Sequence, residues 1–122
     1  MNLSQLNDEK AILRNANLDR CQLTGANFSQ ANLSNAKLRG ADLRNVNFTS
    51  ADLEGVDFRG ADLRGADFTN ASLIAATFTH QPGIEAADEW SPAKIDSSTK
   101  LPSKEALEEQ LTPDQQNFFK QN

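Results

Sequence analysis

Proline is absent from the first 81 residues of this 122-residue chain, and all four prolines follow, beginning with Pro82. Proline cannot donate to a β-ladder, so its absence leaves that region free to pair and its return predicts a boundary near residue 81. A single cysteine, Cys21, excludes an intramolecular disulfide and is expected to be a small buried thiol. The single histidine, His80, has no clear partners for a nucleophilic triad and is expected at the surface or in a cap.

Long apolar runs are missing as well. No segment approaches the roughly 20 apolar residues that span a bilayer. Met1–Lys10 lacks the basic start and apolar core of a signal peptide. We therefore expect a soluble, cytoplasmic protein without membrane contact, although a removed leader to a periplasm- or lumen-type compartment stays open.

The net charge of −5 is unevenly distributed. Residues 11–80 carry seven basic and seven acidic side chains, whereas residues 81–122 carry four basic and eight acidic ones. Nucleic-acid-binding proteins present a basic patch or stripe. A neutral N-terminal region and an acidic tail have no such surface, so we expect no nucleic acid among the partners.

The chain does contain a five-residue repeat, which runs without a gap through fourteen units over residues 11–80. The third residue of every unit is Leu or Phe, the first is Ala in eleven units, the second is mostly Asn or Asp, and the fifth is mostly Gly or Asn. A period of five fits neither a helix nor a strand. It fits a chain that turns a corner in every unit and points the first and third residues inward, which is typical of a solenoid.

Third-position residues twenty apart are mostly of one type, as in the series Phe28, Phe48 and Phe68. Four units per coil stack like on like, as dense packing favours, whereas three or five would mix Leu with Phe. We predict four faces and about three and a half coils. The predicted core is Leu13, Leu18, Leu23, Phe28, Leu33, Leu38, Leu43, Phe48, Leu53, Phe58, Leu63, Phe68, Leu73 and Phe78.

Units such as Ala41–Asn45 and Ala61–Gly65, which read ADLRN and ADLRG, share an A(D/N)LXX signature. By this signature the chain resembles the pentapeptide repeat family over 70 of its 122 residues. The resemblance implies an all-β solenoid, namely a right-handed quadrilateral parallel β-helix with Leu or Phe in the core and Ala lining the interior. It implies no particular activity.

Before the repeats, residues 1–10 are predicted to form an N-terminal cap. Asp8 falls where a core Leu is due, while Leu3 and Leu6 are placed to face inward from a short helix or turn. The cap is needed because an uncovered first coil exposes unpaired backbone groups. Ile12, which occupies a second position usually held by a polar residue, is expected to contact this cap.

After the repeats, residues 81–122 are predicted to form a C-terminal loop and helical cap. Ile95 lies in an isolated repeat-like unit and is expected to extend the last coil, and Ile74 is expected to contact this cap. Ser103 and Thr112 are the predicted N-caps of two short amphipathic helices. If the tail covers the last coil, the protein is expected to be a monomer.

Four arginines are predicted to surround one corner, two on each of two neighbouring faces. They are Arg39, Arg44, Arg59 and Arg64. Asp42, Asp57 and Asp62 fall on the same faces and are expected to neutralise them across coils, at about 0–1 kcal/mol for each exposed pair. A salt-bridge ladder and a partner-binding patch are both open interpretations.

Three functions follow from these features. The favoured one is a non-enzymatic structural or protein-interaction module with an unknown protein partner. The resemblance supplies an alternative, a DNA-mimic modulator of DNA gyrase, but the neutral solenoid rises only about 17 Å at the usual strand spacing. The third is an enzyme or metal-binding protein. We predict no catalytic residue, cofactor or metal site, because the regularly spaced aspartates spread over several faces and lack the clustered oxygen ligands of a calcium loop.

Overall fold

The computed structural model describes residues 2–4, 6–7, 9–78, 100 and 105. Within this part of the chain the backbone forms thirteen parallel β-bridges, each isolated rather than part of a longer strand. Twelve of the bridges join second-position residues that lie twenty apart, beginning with Asn2 and Gln22. One coil therefore takes twenty residues, and the repeats form a right-handed quadrilateral β-helix.

The four faces are defined by their second-position residues. The first face contains Ile12, Asn32, Asp52 and Ser72, and the second contains Asn17, Lys37, Asp57 and Thr77. The third contains Asn2, Gln22, Asp42 and Asp62, and the fourth contains Asn7, Asn27, Asn47 and Asp67. Because the faces follow one another around a square, the second lies opposite the fourth.

Each corner is a tight turn closed by one hydrogen bond. The first turn of the repeats shows the pattern, since the N–H of Ala16 donates to the C=O of Leu13 at 3.1 Å. Between them, the fifth-position Asn15 has a φ of 62°, and every fifth position from 10 to 75 likewise has a positive φ. A positive φ at the third residue of the turn is the feature of a type II turn, which explains the preference for Gly and Asn there.

The core has one column of phenylalanine on the fourth face, two of leucine on the first and third faces, and a mixed column of Leu18, Leu38, Phe58 and Phe78 on the second face. On the fourth face Phe48 stacks between Phe28 and Phe68, with ring centroids 5.9 and 5.4 Å apart. On the second face Phe58 stacks on Phe78 at 5.3 Å. The two columns meet edge to face across the interior, where Phe48 and Phe58 lie 6.2 Å apart. First-position residues fill the space between columns and are buried from position 21 onward, including Cys21.

Two of the fourteen predicted core residues are only partly buried, namely Leu13 and Leu18. Their partial exposure follows from where the N-terminal segment lies. Residues 2–10 pair with the third and fourth faces, through the bridges of Asn2 and Asn7, and do not cover the first and second faces. The ends of Leu13 and Leu18 therefore lack a covering coil among the described residues.

The described part of residues 2–10 continues the coil rather than forming a helix or turn apart from it. The N–H of Leu3 donates to Gln22, and the N–H of Asn27 donates to the C=O of Leu6. Both leucines pack on the core, as predicted from their spacing. The expected contact of Ile12 with this segment is wrong, since Ile12 lies on the uncovered first face and is 80% exposed.

At the other end, Lys100 extends the first face. It bridges to Ser72, donates its N–H to Ala71 and accepts the N–H of Leu73. The prediction assigned this extension to Ile95, which lies outside the described residues, as do His80 and the helix N-caps Ser103 and Thr112. Glu105 is helical. The predicted domain limits at residues 10 and 80 and the two tail helices remain predictions.

Candidate interaction surface

The second-position Asn and Asp side chains close the corners of the coil. In the third-face unit the N–H of Arg44 donates to Oδ1 of Asp42 at 3.3 Å, and in the first-face unit the N–H of Ser34 donates to Asn32 at 3.1 Å. Fourth-position N–H groups are not used by the inter-coil ladder, so this side-chain acceptor satisfies them. Such a bond to the backbone two residues ahead is an Asx turn, a role that the sequence analysis did not assign to these side chains.

Three of the four arginines form two-pronged ion pairs with the aspartate of their own unit. In each pair Nε and Nη2 of Arg donate to the two carboxylate oxygens, at 2.5 to 2.9 Å. The pairs are Arg44–Asp42, Arg59–Asp57 and Arg64–Asp62. The shortest contacts of Arg44 and Arg59 therefore lie within their own units and not across coils as predicted, although Arg44 also forms an ion pair across coils, at 3.9 Å, with Asp62.

Arg39 is the exception, because its unit has Lys37 in the second position. With no acceptor in its own unit, Arg39 donates its backbone N–H to Oδ1 of Asp19 in the preceding coil at 2.9 Å. Its guanidinium donates to the other oxygen of Asp19 at 2.6 Å. The carboxylate of Asp19 thus takes both roles of the aspartate that the unit of Arg39 lacks. It accepts the fourth-position N–H of the turn, and it forms the ion pair with the guanidinium. Asp19 was not among the predicted residues, although its position twenty before Arg39 is a signal that could have identified it.

The four arginines lie at the two corners that border the third face, and not around one corner as predicted. Arg39 and Arg59 precede Gly40 and Gly60 at the corner between the second and third faces, and Arg44 and Arg64 lie one unit further on, at the corner between the third and fourth faces. Their side chains are between 40% and 51% exposed. We call this surface, comprising the four arginines with Asp19, Asp42, Asp57 and Asp62, the arginine corner.

Comparison with known protein families identifies the five-residue repeat. The sequence profile described as "Pentapeptide repeats" matches residues 11–49, 26–65 and 41–79, with eight copies. These overlapping matches cover more than half of the chain. The chain belongs to the pentapeptide repeat family. Comparison with curated protein sequences gives no match.

Solved pentapeptide repeat proteins share the fold. Rfr23 from the cyanobacterium Cyanothece 51142 is 26% identical with a TM-score of 0.69, over 82% of this chain and 63% of Rfr23. HetL from Nostoc sp. PCC 7120, a protein involved in heterocyst differentiation regulation, is 32% identical with a TM-score of 0.66, over 82% of this chain and 44% of HetL. A pentapeptide repeat protein from the thylakoid lumen of Arabidopsis thaliana is 24% identical with a TM-score of 0.71, over 97% of this chain and 73% of the Arabidopsis protein. This pentapeptide repeat protein thus spans less than two thirds of Rfr23 and of HetL.

The arginine corner lowers the pKa of several of its carboxyl groups. Hydrogen bonds from Arg39 lower the pKa of Asp19, and those from Arg44 lower the pKa of Asp42. At Asp57 partial burial acts to raise the pKa, but the side-chain and backbone hydrogen bonds from Arg59 outweigh it, and the pKa is lowered. These carboxylates stay ionised well into the acid range, so the pairs persist at neutral pH.

Replacing Arg44 with Gln is expected to raise the pKa of Asp42 towards its ordinary value, because the largest stabilising contact of the carboxylate is lost. A lowered folded-state pKa contributes stability above the unfolded value of about 3.9, and this contribution is lost as the pH falls through the folded value. Arg44→Gln is therefore expected to lower the stability slightly at pH 7, and to have less effect as the pH falls through the folded-state pKa of Asp42. Carboxyl-carbon NMR titration of Asp42 measures the shift, with Asp19 as the internal control. An unchanged Asp42 titration would show that the pair does not form in solution.

Other candidate sites have little support in the described surface. An open hollow of about 770 Å³ adjoins the arginine corner and is lined in part by Asp19, Arg39 and Arg59, so it belongs to the same surface. Among the described residues, no three His, Cys, Asp or Glu side chains lie close enough to share a metal ion. In the same part of the chain, no helix has the length and apolar character to cross a membrane.

Proposed function

We propose that this pentapeptide repeat protein is a non-catalytic protein-interaction module and that its partner docks on the arginine corner. The observation that carries the proposal is the two-pronged fixation of the guanidinium groups on an exposed surface. Arginine is enriched among residues that dominate protein–protein binding energies. A guanidinium already fixed in position loses less conformational entropy on binding than a free one.

The chemistry of the corner indicates the kind of partner surface. In Arg44 and Arg59 the ion pair uses Nε and Nη2, while a guanidinium carries five N–H donors. The remaining donors are available to carbonyl or carboxylate oxygens of a partner. Since the aspartates neutralise the charge of these arginines, a partner surface need not be strongly acidic, and binding is expected to depend on hydrogen-bond geometry more than on net charge.

The other faces offer less for recognition. On the first face the fourth positions are Arg14, Ser34, Glu54 and Ile74, without a repeated pair. On the fourth face the small Ser29, Thr49 and Thr69 donate backbone N–H groups to their own turns and project little. Among the described residues, the two corners that border the third face are the ones that carry arginine at the fourth position in two successive coils.

The proposal is tested by affinity capture from the native lysate with three baits. The double variant Arg44→Gln, Arg59→Gln removes two guanidiniums and keeps the fold, while Glu54→Gln removes one charge from the first face as a matched control. We expect proteins retained by the wild type and by Glu54→Gln to be depleted at least about tenfold by the double variant. Equal retention by all three baits would place the interaction elsewhere and overturn the proposed site.

DNA-gyrase modulation by DNA mimicry is not favoured by the surface. A duplex mimic needs an excess of negative charge, whereas residues 11–80 carry equal numbers of acidic and basic side chains. The arginine corner places basic groups outermost on two of the four faces. We therefore retain a protein partner as the proposal.

A further inference from the structure

The hollow of about 770 Å³ lies at the corner between the second and third faces, and arginines from three successive coils border it. Its lining includes Arg20, Arg39 and Arg59, together with Gly40. A Cβ at Gly40 would lie 3.5 Å from Cγ of Arg20, so the stem of Arg20 runs over the corner at the point where Gly40 has no side chain. The missing side chain of Gly40 thus leaves room for Arg20 beside the other two arginines.

Two of these arginines are held in place by aspartates in an alternating row. Asp19 binds Arg39 at 2.6 Å, Arg39 approaches Asp57 at 3.9 Å, and Asp57 binds Arg59 at 2.6 Å. In Arg39 and in Arg59 the bound carboxylate lies against Nε and Nη2. A guanidinium is planar with its donors in a fixed fork, so its Nη1 side is directed away from that carboxylate.

The second face carries more positive than negative charge around this hollow. Its described residues at the second, fourth and fifth positions include four cations and two carboxylates, namely Arg20, Lys37, Arg39 and Arg59 with Asp19 and Asp57. Lys37 is close enough to add to the lowering of the pKa of Asp19, which hydrogen bonds from Arg39 dominate. The third face, by contrast, balances two arginines with two aspartates. The aspartates of the second face therefore orient its arginines without neutralising the face.

Like charges also lie close together here. The hydrogen bond to Asp19 raises the pKa of Arg39, whereas the neighbouring charge of Arg59 acts to lower it. The two guanidinium groups therefore repel each other, and an anion set against their Nη1 sides is attracted by both. A carboxylate suits this position, because its two oxygens accept charge-assisted hydrogen bonds from guanidinium donors.

We infer that this hollow is the subsite for a carboxylate side chain, Glu or Asp, from a short acidic segment of the docked partner. The inference rests on the proposed function, because it names the chemical group of the partner that the surface recognises. Arg39 and Arg59 donate to the carboxylate, and Arg20 and Lys37 add their charges. A local excess of two positive charges suits one or two carboxylates, whereas nucleic acid is bound by a longer basic patch or stripe.

The first experiment follows the protein by NMR as an acetylated tetraglutamate amide is added at pH 7 and constant ionic strength. The reporters are the Nε–H signals of Arg20, Arg39 and Arg59 and the amide signal of Gly40. We expect saturable shifts of these signals, and none with the matching tetraglutamine peptide, because glutamine lacks the charge. Equal shifts with both peptides would overturn the inference. Saturation by inorganic phosphate, with no response to tetraglutamate, would overturn the assignment to a carboxylate.

The double variant Arg20→Gln, Lys37→Gln removes two cations of the hollow that lie outside the arginine corner. The fold accepts both changes, since Gln30 occupies a fifth position with a φ of 60° and Gln22 a second position. We expect the tetraglutamate peptide to bind about tenfold more weakly, as loss of a contact to a charged group implies. Arg14→Gln is the matched control, because it removes a fourth-position cation from the first face. An unchanged affinity in the double variant would overturn the inference.

A second experiment separates this inference from the proposed function. Arg20→Gln, Lys37→Gln is used as a further bait beside Arg44→Gln, Arg59→Gln in the capture from native lysate. We expect both double variants to lose the same proteins. If Arg44→Gln, Arg59→Gln loses them and Arg20→Gln, Lys37→Gln retains them, the partner docks without using the hollow, and the inference alone is overturned. If tetraglutamate binds the hollow but Arg44→Gln, Arg59→Gln retains every protein, the proposed docking site is overturned.

Discussion

Phe48→Ala is expected to lower the free energy of unfolding by about 3–5 kcal/mol, which is the usual cost of removing a buried phenylalanine ring. Phe48 has no exposed surface and is the middle ring of its column, between Phe28 and Phe68. It also contacts Phe58 from the opposite face. The substitution therefore removes two stacked contacts and one edge-to-face contact at once. Urea unfolding followed by circular dichroism measures the loss.

Phe48→Leu is the matched control, because leucine fills the equivalent place in the neighbouring columns. It keeps the site apolar and most of its volume, so a loss below about 1.5 kcal/mol is expected. The difference between the free energies of unfolding of the two variants reports the cost of the cavity, separately from the loss of aromatic contacts that both variants share. If Phe48→Ala costs less than about 1 kcal/mol, the stacked columns do not carry the stability of the solenoid. Stability of a repeat protein is largely a sum over neighbouring repeats, so the loss should depend little on the ends.

The interior was predictable because its information is periodic. A period of twenty in the third positions is enough to place Phe28, Phe48 and Phe68 in one column, and the structure has them stacked. The edge-to-face contact of Phe48 with Phe58 needed one further step, the recognition that their faces are opposite. Burial was predicted less well at the first units of the repeat. Leu13 and Leu18 keep the sequence pattern but are only partly buried, because no described coil covers them.

The surface was less predictable because its contacts depend on local backbone direction. Spacing placed Arg44 and Asp42 on one face, but it did not show that the turn brings the fourth residue back over the second. The type II turn does so, and the carboxylate then binds both the N–H and the guanidinium of Arg44. Lys37 breaks this rule in one unit, and Asp19 takes over the role from the preceding coil. An exception of this kind is identifiable only once the rule is known.

The N-terminal segment shows the opposite difficulty. Its side-chain pattern is lost at Asp8, which suggested a separate cap, yet the described backbone of Asn2 and Asn7 keeps the register of twenty. Backbone pairing depends on the corner geometry and not on a core leucine in every unit. The segment formed in this way covers the third and fourth faces, and no described residue covers the units of Leu13 and Leu18 on the first and second faces.

Gly65→Ala is expected to lower the free energy of unfolding by about 2 kcal/mol, the second largest effect among these predictions. Gly65 has a φ of 75°, and an L-residue with a side chain in the left-handed region costs about 1–2 kcal/mol. A Cβ here would also overlap with Oδ1 of Asn45, whose side chain reaches over the corner from the preceding coil. The amide of Asn45 would have to rotate away. Thermal and urea unfolding measure the loss.

Gly60→Ala separates the two contributions, because its φ of 73° is nearly the same but its Cβ would meet nothing closer than the backbone N of Gly40 at 3.7 Å. The backbone strain alone is therefore expected, at about 1 kcal/mol. The excess at Gly65 then reports the displacement of Asn45, and Asn45→Gly combined with Gly65→Ala should remove that excess. Equal losses at the two glycines would mean that the Asn45 amide moves aside at no cost, so that the preference for Gly at these corners comes from φ alone.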